Sequence, residues 1–116
     1  MHSITLWEEI NKTRKRAEEK QRIKILEKTG KALNKLSREF HFQEAWIFGS
    51  LTREGGWRSH SDIDIALQDL DKFELYSFVA AIQEITDLSV DVVRLEESPL
   101  APKIKREGIL WTPREK

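Results

Sequence analysis

The spacing of apolar positions changes along the chain, and each change marks an element. From Ile4 to Phe40 there is no proline and Glu, Lys, Arg, Leu and Ala dominate, a composition that favours helix. Apolar side chains fall there in two clusters, Leu6, Trp7 and Ile10 first, then Ile23, Leu26, Leu33, Leu36 and Phe40 near helical spacing. The span between them, NKTRKRAEEKQR, has only Ala17 as an apolar residue. It cannot bury a face, so the pattern predicts a helix in two parts with a solvated or loop-broken middle. Ser3 or Thr5 is placed to cap its start, and Gly30 to act as a hinge or cap. The Leu6, Trp7, Ile10 cluster reads either as a partner-binding surface or as a clasp folded back on the domain.

Past Phe40 the period shortens. Ala45 to Phe48 is short and apolar and runs into Gly49 and Ser50, which reads as a buried strand breaking into a tight turn. Ser61 to Ile65 opens a second, alternating run, in which Asp62 and Asp64 share a face. Asp69 or Asp71 can cap the next helix, with Glu74 completing a capping box from Asp71. Phe73, Tyr76, Phe78, Val79, Ile82 and Ile85 form its apolar stripe and are assigned to the core. Asp87 to Ser89 turns the chain into a third strand, Val90 to Leu95, which carries Asp91 inside a β-branched run. Ser98 and Pro99 start a short helix to about Glu107, and Ile109 to Trp111 returns onto the sheet or helices. This alternation indicates an α/β domain with a small sheet of three or so strands flanked by helices.

Composition narrows the function classes. At 116 residues the chain is one domain's worth, residues 1–116, with a helical N-terminal region (4–40) and a second part (41–111) that carries the chemistry. Lys and Arg total 20 against 20 Asp and Glu, so no overall field favours nucleic acid or an anionic membrane. There is no cysteine, hence no disulfide framework and no thiolate metal site. No apolar run approaches membrane-spanning length and the N-terminus lacks an apolar leader core, so a cytoplasmic location is expected.

The chemistry concentrates in Trp46 to Leu67. Asp62 and Asp64 at strand spacing have α-carbons about 6 to 7 Å apart. Carboxylates converging to roughly 6 Å repel by about 3 kcal/mol at an effective dielectric near 20. A divalent cation relieves that, and Mg²⁺ takes one or two carboxylates and completes its shell with water and phosphate oxygens. Gly49 allows close backbone approach, and Ser50 offers a hydroxyl and an N–H, which suits a polyphosphate. A Gly-Ser turn alone is ordinary, and an Asp-x-Asp strand alone is more often a solvated sheet face. Their order and separation, with apolar strands on both sides, make the joint pattern specific. Asp91 is either an edge-strand acid facing water or a third carboxylate. Trp57 reads as cover for a core edge and His60 as a solvated loop residue.

Phe48, Gly49, Ser50, Arg53, Ser61, Asp62, Ile63 and Asp64 resemble the signature of the nucleotidyltransferase superfamily. The compact chain is similar to its minimal nucleotidyltransferases, the MntA-like antitoxins, from about Phe40 to Trp111. The resemblance implies a polymerase beta-like fold with a mixed sheet and a Mg²⁺-dependent transfer of AMP from ATP. It implies metal ligation by Asp62, Asp64 and Asp91, and nucleotide contacts from Gly49, Ser50 and Arg53. Leu51 departs from the pattern, since many relatives place a basic residue there, and the loop with Glu54, Gly55 and Gly56 is slightly long. With no second domain to hold an acceptor, the resemblance implies that a partner presents it: a HEPN-domain toxin whose tyrosine hydroxyl receives AMP. Direct nucleic-acid binding is not expected, while a homo- or hetero-oligomer is compatible with such docking. Two rivals remain open, a non-catalytic antitoxin that occludes its toxin and an adenylyltransferase for a small molecule.

Overall fold

The first helix, α1, runs unbroken over Ser3–Leu36. The expected break does not occur, because helix-favouring residues and the absence of proline sustain the helix through a span that buries no apolar face. Gly30 lies inside the helix rather than at a hinge. The computed structural model describes residues 3–113, with side chains from Leu6 onward, so the capping roles expected of Ser3 and Thr5 lie outside the described residues. At 1.5 Å per residue α1 is about 51 Å long, which accounts for a molecule measuring 60 × 27 × 27 Å.

Only the second half of α1 is docked. Ile25, Thr29, Ala32, Leu33 and Leu36 are buried at helical spacing, and Thr29 donates its hydroxyl proton to the Ile25 carbonyl at 2.7 Å. In the first half Leu6, Trp7 and Ile10 are exposed, Trp7 at 64 %. The clasp reading is therefore overturned: a straight helix carries this cluster away from the core.

Strands β1 (Glu44–Phe48), β2 (Ile63–Gln68), β3 (Val90–Arg94) and β4 (Ile109–Trp111) form one sheet in the order β3-β2-β1-β4. β1 pairs antiparallel with β2 and β4, while β2 and β3 are parallel. Helix α2 (Leu75–Thr86) makes the crossover that parallel pairing requires. The apolar return at the C-terminus is thus a fourth strand, tied to α1 by the Trp111 indole N–H donating to Asn34 Oδ1 at 2.9 Å.

One face of the sheet is closed by α1 and α2. Ala45, Ile47, Ile63, Ile65 and Leu67 point into it, with Phe78 and Ile82 of α2 and edge-on contacts of Phe40 and Phe42 against Phe78. The opposite face carries a smaller cluster of Ala66, Leu95 and Ile104, with Trp46, Phe48 and Ala101 packed against it. There α3 (Ala101–Glu107) covers only part of the sheet.

Three local expectations are corrected. Phe73 and Tyr76 are 83 % and 88 % exposed and do not belong to the core stripe of α2. Asp71 does cap, accepting from the Phe73 N–H at 2.9 Å, but it caps a 3₁₀ turn, and no Glu74 side-chain bond closes a box at the start of α2. Ser98 Oγ accepts from the Leu100 N–H at 3.1 Å, yet α3 begins at Ala101 with Pro102, not Pro99, in its first turn.

Candidate active site

The strand register assembles the site from distant parts of the chain. Phe48 at the end of β1 is the antiparallel partner of Asp64 in β2, and Asp64 is the parallel partner of Asp91 in β3. Aligned residues on neighbouring strands point to the same face, so Phe48, Asp64 and Asp91 form one row across three strands. Asp64 shares its face with Ala66, two residues on, which packs toward α3. The row therefore lies on the partly covered face. Asp62 stands just outside β2, two residues before Asp64, and both it and Asp91 are exposed, Asp91 on an edge strand.

The electrostatics follow from this placement. Asp64 is half-buried, and its carboxyl is pushed above the ordinary carboxylate range, first by desolvation and then by the negative charges of Asp91 and Asp62. Among the described residues, none of the three acids is paired with a Lys, Arg or His. Nor does any group of three or more His, Cys, Asp or Glu among them stand close enough to hold a metal ion as the side chains lie. Asp64 and Asp91 share a face, the negative charges of Asp91 and Asp62 both act on Asp64, and no cation among the described residues pairs with any of the three. That donor set, all oxygen, half-solvated and with excess negative charge, fits a hard divalent ion such as Mg²⁺.

Beside the acids, Gly49 to Thr52 form a 3₁₀ turn directly off β1. Gly49 has φ +77°, and a Cβ built there would overlap Asp64 Oδ2. Both facts demand glycine, the first because L side chains strain in the left-handed region and the second because the backbone lies against the carboxylate. Thr52 Oγ1 closes the turn by donating to the Gly49 carbonyl at 2.8 Å, and the Arg53 N–H reaches the Ser50 carbonyl at 3.3 Å. Ser50 is half-buried and its hydroxyl has no protein partner among the described residues. Arg53 is exposed. A cavity of about 410 Å³ opens next to this turn, with Phe48, Gly49 and Arg53 on one side and Leu100, Lys103 and Glu107 of the α3 segment on the other.

The remaining loop residues have structural places. Trp57 is 2 % exposed and belongs to the main core, as expected of a tryptophan covering a core edge. His60 is exposed. A brace from α1 went unread in the sequence. Arg22 donates to the Leu51 carbonyl at 2.9 Å and to both carboxylate oxygens of Glu19, while Glu19 Oε1 also accepts the Gly55 N–H at 3.0 Å. The Arg22 hydrogen bonds, aided by the Gly55 N–H, hold the Glu19 carboxyl down at about 2. This pair lies in the charge run that composition assigns to a solvated face, and its i, i+3 spacing is the only local signal of it.

Comparison with known proteins bears on the fold and the family. No curated protein sequence matches the chain. Among solved structures, one described as a toxin-antitoxin with AMP-PNP superposes with a TM-score of 0.61 at 25 % identity, covering 73 % of this chain and 74 % of that one. A toxin-antitoxin MntA-HpeT mutant gives 0.60 at 22 % identity, over 73 % and 74 % of the two chains. A candidate minimal nucleotidyltransferase gives 0.59 at 21 %, over 76 % of this chain and 93 % of that one. Residues 30–115 match the sequence profile of the family described as Polymerase beta, Nucleotidyltransferase. That match covers most of the chain and includes every residue of the acidic row and the glycine-serine turn, so the protein belongs to the polymerase beta nucleotidyltransferase family.

Proposed function

We propose that the chain, acting as one catalytic domain in the cytoplasm, transfers AMP from ATP to a tyrosine hydroxyl of a HEPN-domain toxin and thereby serves as its antitoxin. The observation that carries this reading is the register of Asp64 with Asp91, with Gly49 closed against Asp64. Family membership supports nucleotidyl transfer, and likeness to a toxin-antitoxin with AMP-PNP supports the donor class and the kind of partner.

In this reading Asp62, Asp64 and Asp91 would hold Mg²⁺. When bound, the ion supplies charge neutralisation of the phosphates and stabilisation of the entering and leaving oxygens. The acceptor oxygen attacks the α-phosphorus, the bond from that phosphorus to the bridging oxygen of pyrophosphate breaks, and pyrophosphate leaves. Asp91, the most exposed strand acid of the row, takes the hydroxyl proton. Gly49 and Ser50 cradle the β- and γ-phosphates through backbone N–H groups and the Ser50 hydroxyl, and Arg53 adds a charge-assisted contact. Glu19 and Arg22 keep the Gly49–Gly55 loop in place from α1. Asp62 and Asp91 are exposed, which leaves the row open to an acceptor presented by a second molecule.

Incubation of the purified chain with α-labelled ATP and Mg²⁺, with and without the product of the adjacent gene, tests the reading. Label is expected on the partner and to depend on Mg²⁺. Label on neither protein under any divalent metal, with the partner still neutralised, would leave a non-catalytic occluding antitoxin. Label on a small acceptor instead would move the substrate class to small molecules.

A further inference from the structure

We propose that Lys103 of α3 is a phosphate-binding residue that grips the pyrophosphate end of the nucleotide across the cavity from Gly49 and Arg53. The inference rests on the nucleotidyl-transfer reading above and adds to it a phosphate contact from α3, outside the glycine-serine turn.

In-line displacement puts the entering and leaving groups on opposite sides of the α-phosphorus. Strand order fixes those sides. Asp91 on β3 and the end of β1 flank Asp64, and with neighbouring strands about 4.8 Å apart they stand about 10 Å from each other. If the acceptor enters over Asp91, the leaving group departs over β1, where the Gly49–Thr52 turn and then the cavity begin. The cavity is on the correct face: Phe48, which lines it, is the strand partner of Asp64, and Ile104 beneath it packs with Ala66 on that same face.

The walls then decide what the cavity holds. Arg53 and Lys103 face it from its two sides, and neither is in an ion pair among the described residues. Glu107 also lines it, but its carboxylate is engaged by Arg106 at 3.6 Å. Two unpaired cations and one compensated acid make an anion site. Phe48 and Leu100 add apolar surface to the same lining. Lys103 is a compact donor of three N–H bonds, suited to non-bridging phosphate oxygens. Sequence signature alone would not select it, because it sits in an exposed charge-rich helix with Lys105 and Arg106 close by.

The experiment is a titration of the full chain, with Mg²⁺, by α,β-methylene ATP and by AMP, for the natural protein and for Lys103→Gln, Lys103→Arg and Lys105→Gln. A lost charged hydrogen bond corresponds to an affinity loss of about 10-fold or more. Lys103→Gln is therefore expected to bind the triphosphate analogue about 10-fold more weakly, with AMP affinity unchanged. Lys103→Arg should recover most of the loss, and Lys105→Gln, which does not line the cavity, should match the natural protein. Equal binding of the analogue by Lys103→Gln and the natural protein, or an equal loss for analogue and AMP, would overturn the inference and leave nucleotidyl transfer standing. Failure of the natural protein itself to bind the analogue would overturn both.

Discussion

The two faces of the sheet are written by alternate residues of the same strands, and they are built for different ends. In β2, Ile63, Ile65 and Leu67 enter the sealed core between sheet and helices, while Asp64 and Ala66 face the side that α3 covers only in part. On the sealed face nearly every side chain is apolar and inaccessible. On the other, Asp64 is held half-buried beside two like charges. Burying a charge near others of its sign costs free energy. A sheet tolerates it here because the opposite face supplies the stability, so the row of acids can be arranged for a ligand rather than for folding.

The strongest test of this division is a pair of substitutions on opposite sides. Asp64→Ala is expected to lower transfer by about 10³-fold or more, the order lost when a charge-stabilising contact in the transition state is removed. It should leave the melting temperature unchanged or raised, since repulsion is relieved. Phe78→Ala, in the sealed core, is expected to cost about 3 to 5 kcal/mol of stability, with the activity of the fraction that remains folded nearly intact. Measured by transfer assay and denaturant titration, the two losses should not cross over. Loss of stability in Asp64→Ala would show that the acidic row is a structural element.

How much of this division could be read from the chain depends on range. Strand alternation put Asp62 and Asp64 on one face, and the apolar runs located three of the four strands, because both signals are local; the three-residue β4 is too short to show a strand period. Asp64 and Asp91 are partners across 26 intervening residues, and residues alone leave Asp91 open between two readings that only the family pattern separates. Tyr76 was misassigned because apolar character was counted without phase. At 100° per residue it lies about 160° from Phe78, on the outer side of α2. The Glu19–Arg22 brace was missed for the same reason as Asp91: its targets, Leu51 and Gly55, are far along the chain. Lys103 was missed because a lysine in an exposed charged helix carries no local mark of the cavity it lines.

A smaller effect separates the faces by pH. The raised Asp64 carboxyl binds its proton more tightly in the folded protein than in the unfolded chain. By linkage, stability without metal should fall as pH rises from the unfolded carboxylate value through the raised folded one, and recover on acidification through the same window. Glu19 works in the opposite sense, its stabilising effect being lost as pH falls from the ordinary glutamate value toward about 2. Asp64→Asn should remove the first dependence and leave the second. Added Mg²⁺ should stabilise the natural protein by about 2.7 kcal/mol when present at 100 times its Kd, and Asp64→Asn much less. Thermal unfolding between pH 3 and 8, with and without Mg²⁺, reads both effects; an unaltered Mg²⁺ response in Asp64→Asn would remove Asp64 from the cation site.

The least effect is expected where neither face is involved. α1 obeys the same rule as the strands, but along its length instead of across it. Leu33 is fully buried and Leu6 is exposed, although both are leucines in one unbroken helix. The difference is whether a sheet lies beneath them. Leu33→Ala should therefore cost about 2 to 5 kcal/mol, whereas Leu6→Ala, Trp7→Ala and Ile10→Ala should each stay within about 0.5 kcal/mol in the isolated chain. Those three residues keep a large exposed apolar area without contributing to the fold, and a helix sustained by propensity over its solvated middle holds them there. A cost of 2 kcal/mol or more for Trp7→Ala would mean that the cluster is packed against something in solution, and would reduce the contrast within α1 to one between two interfaces.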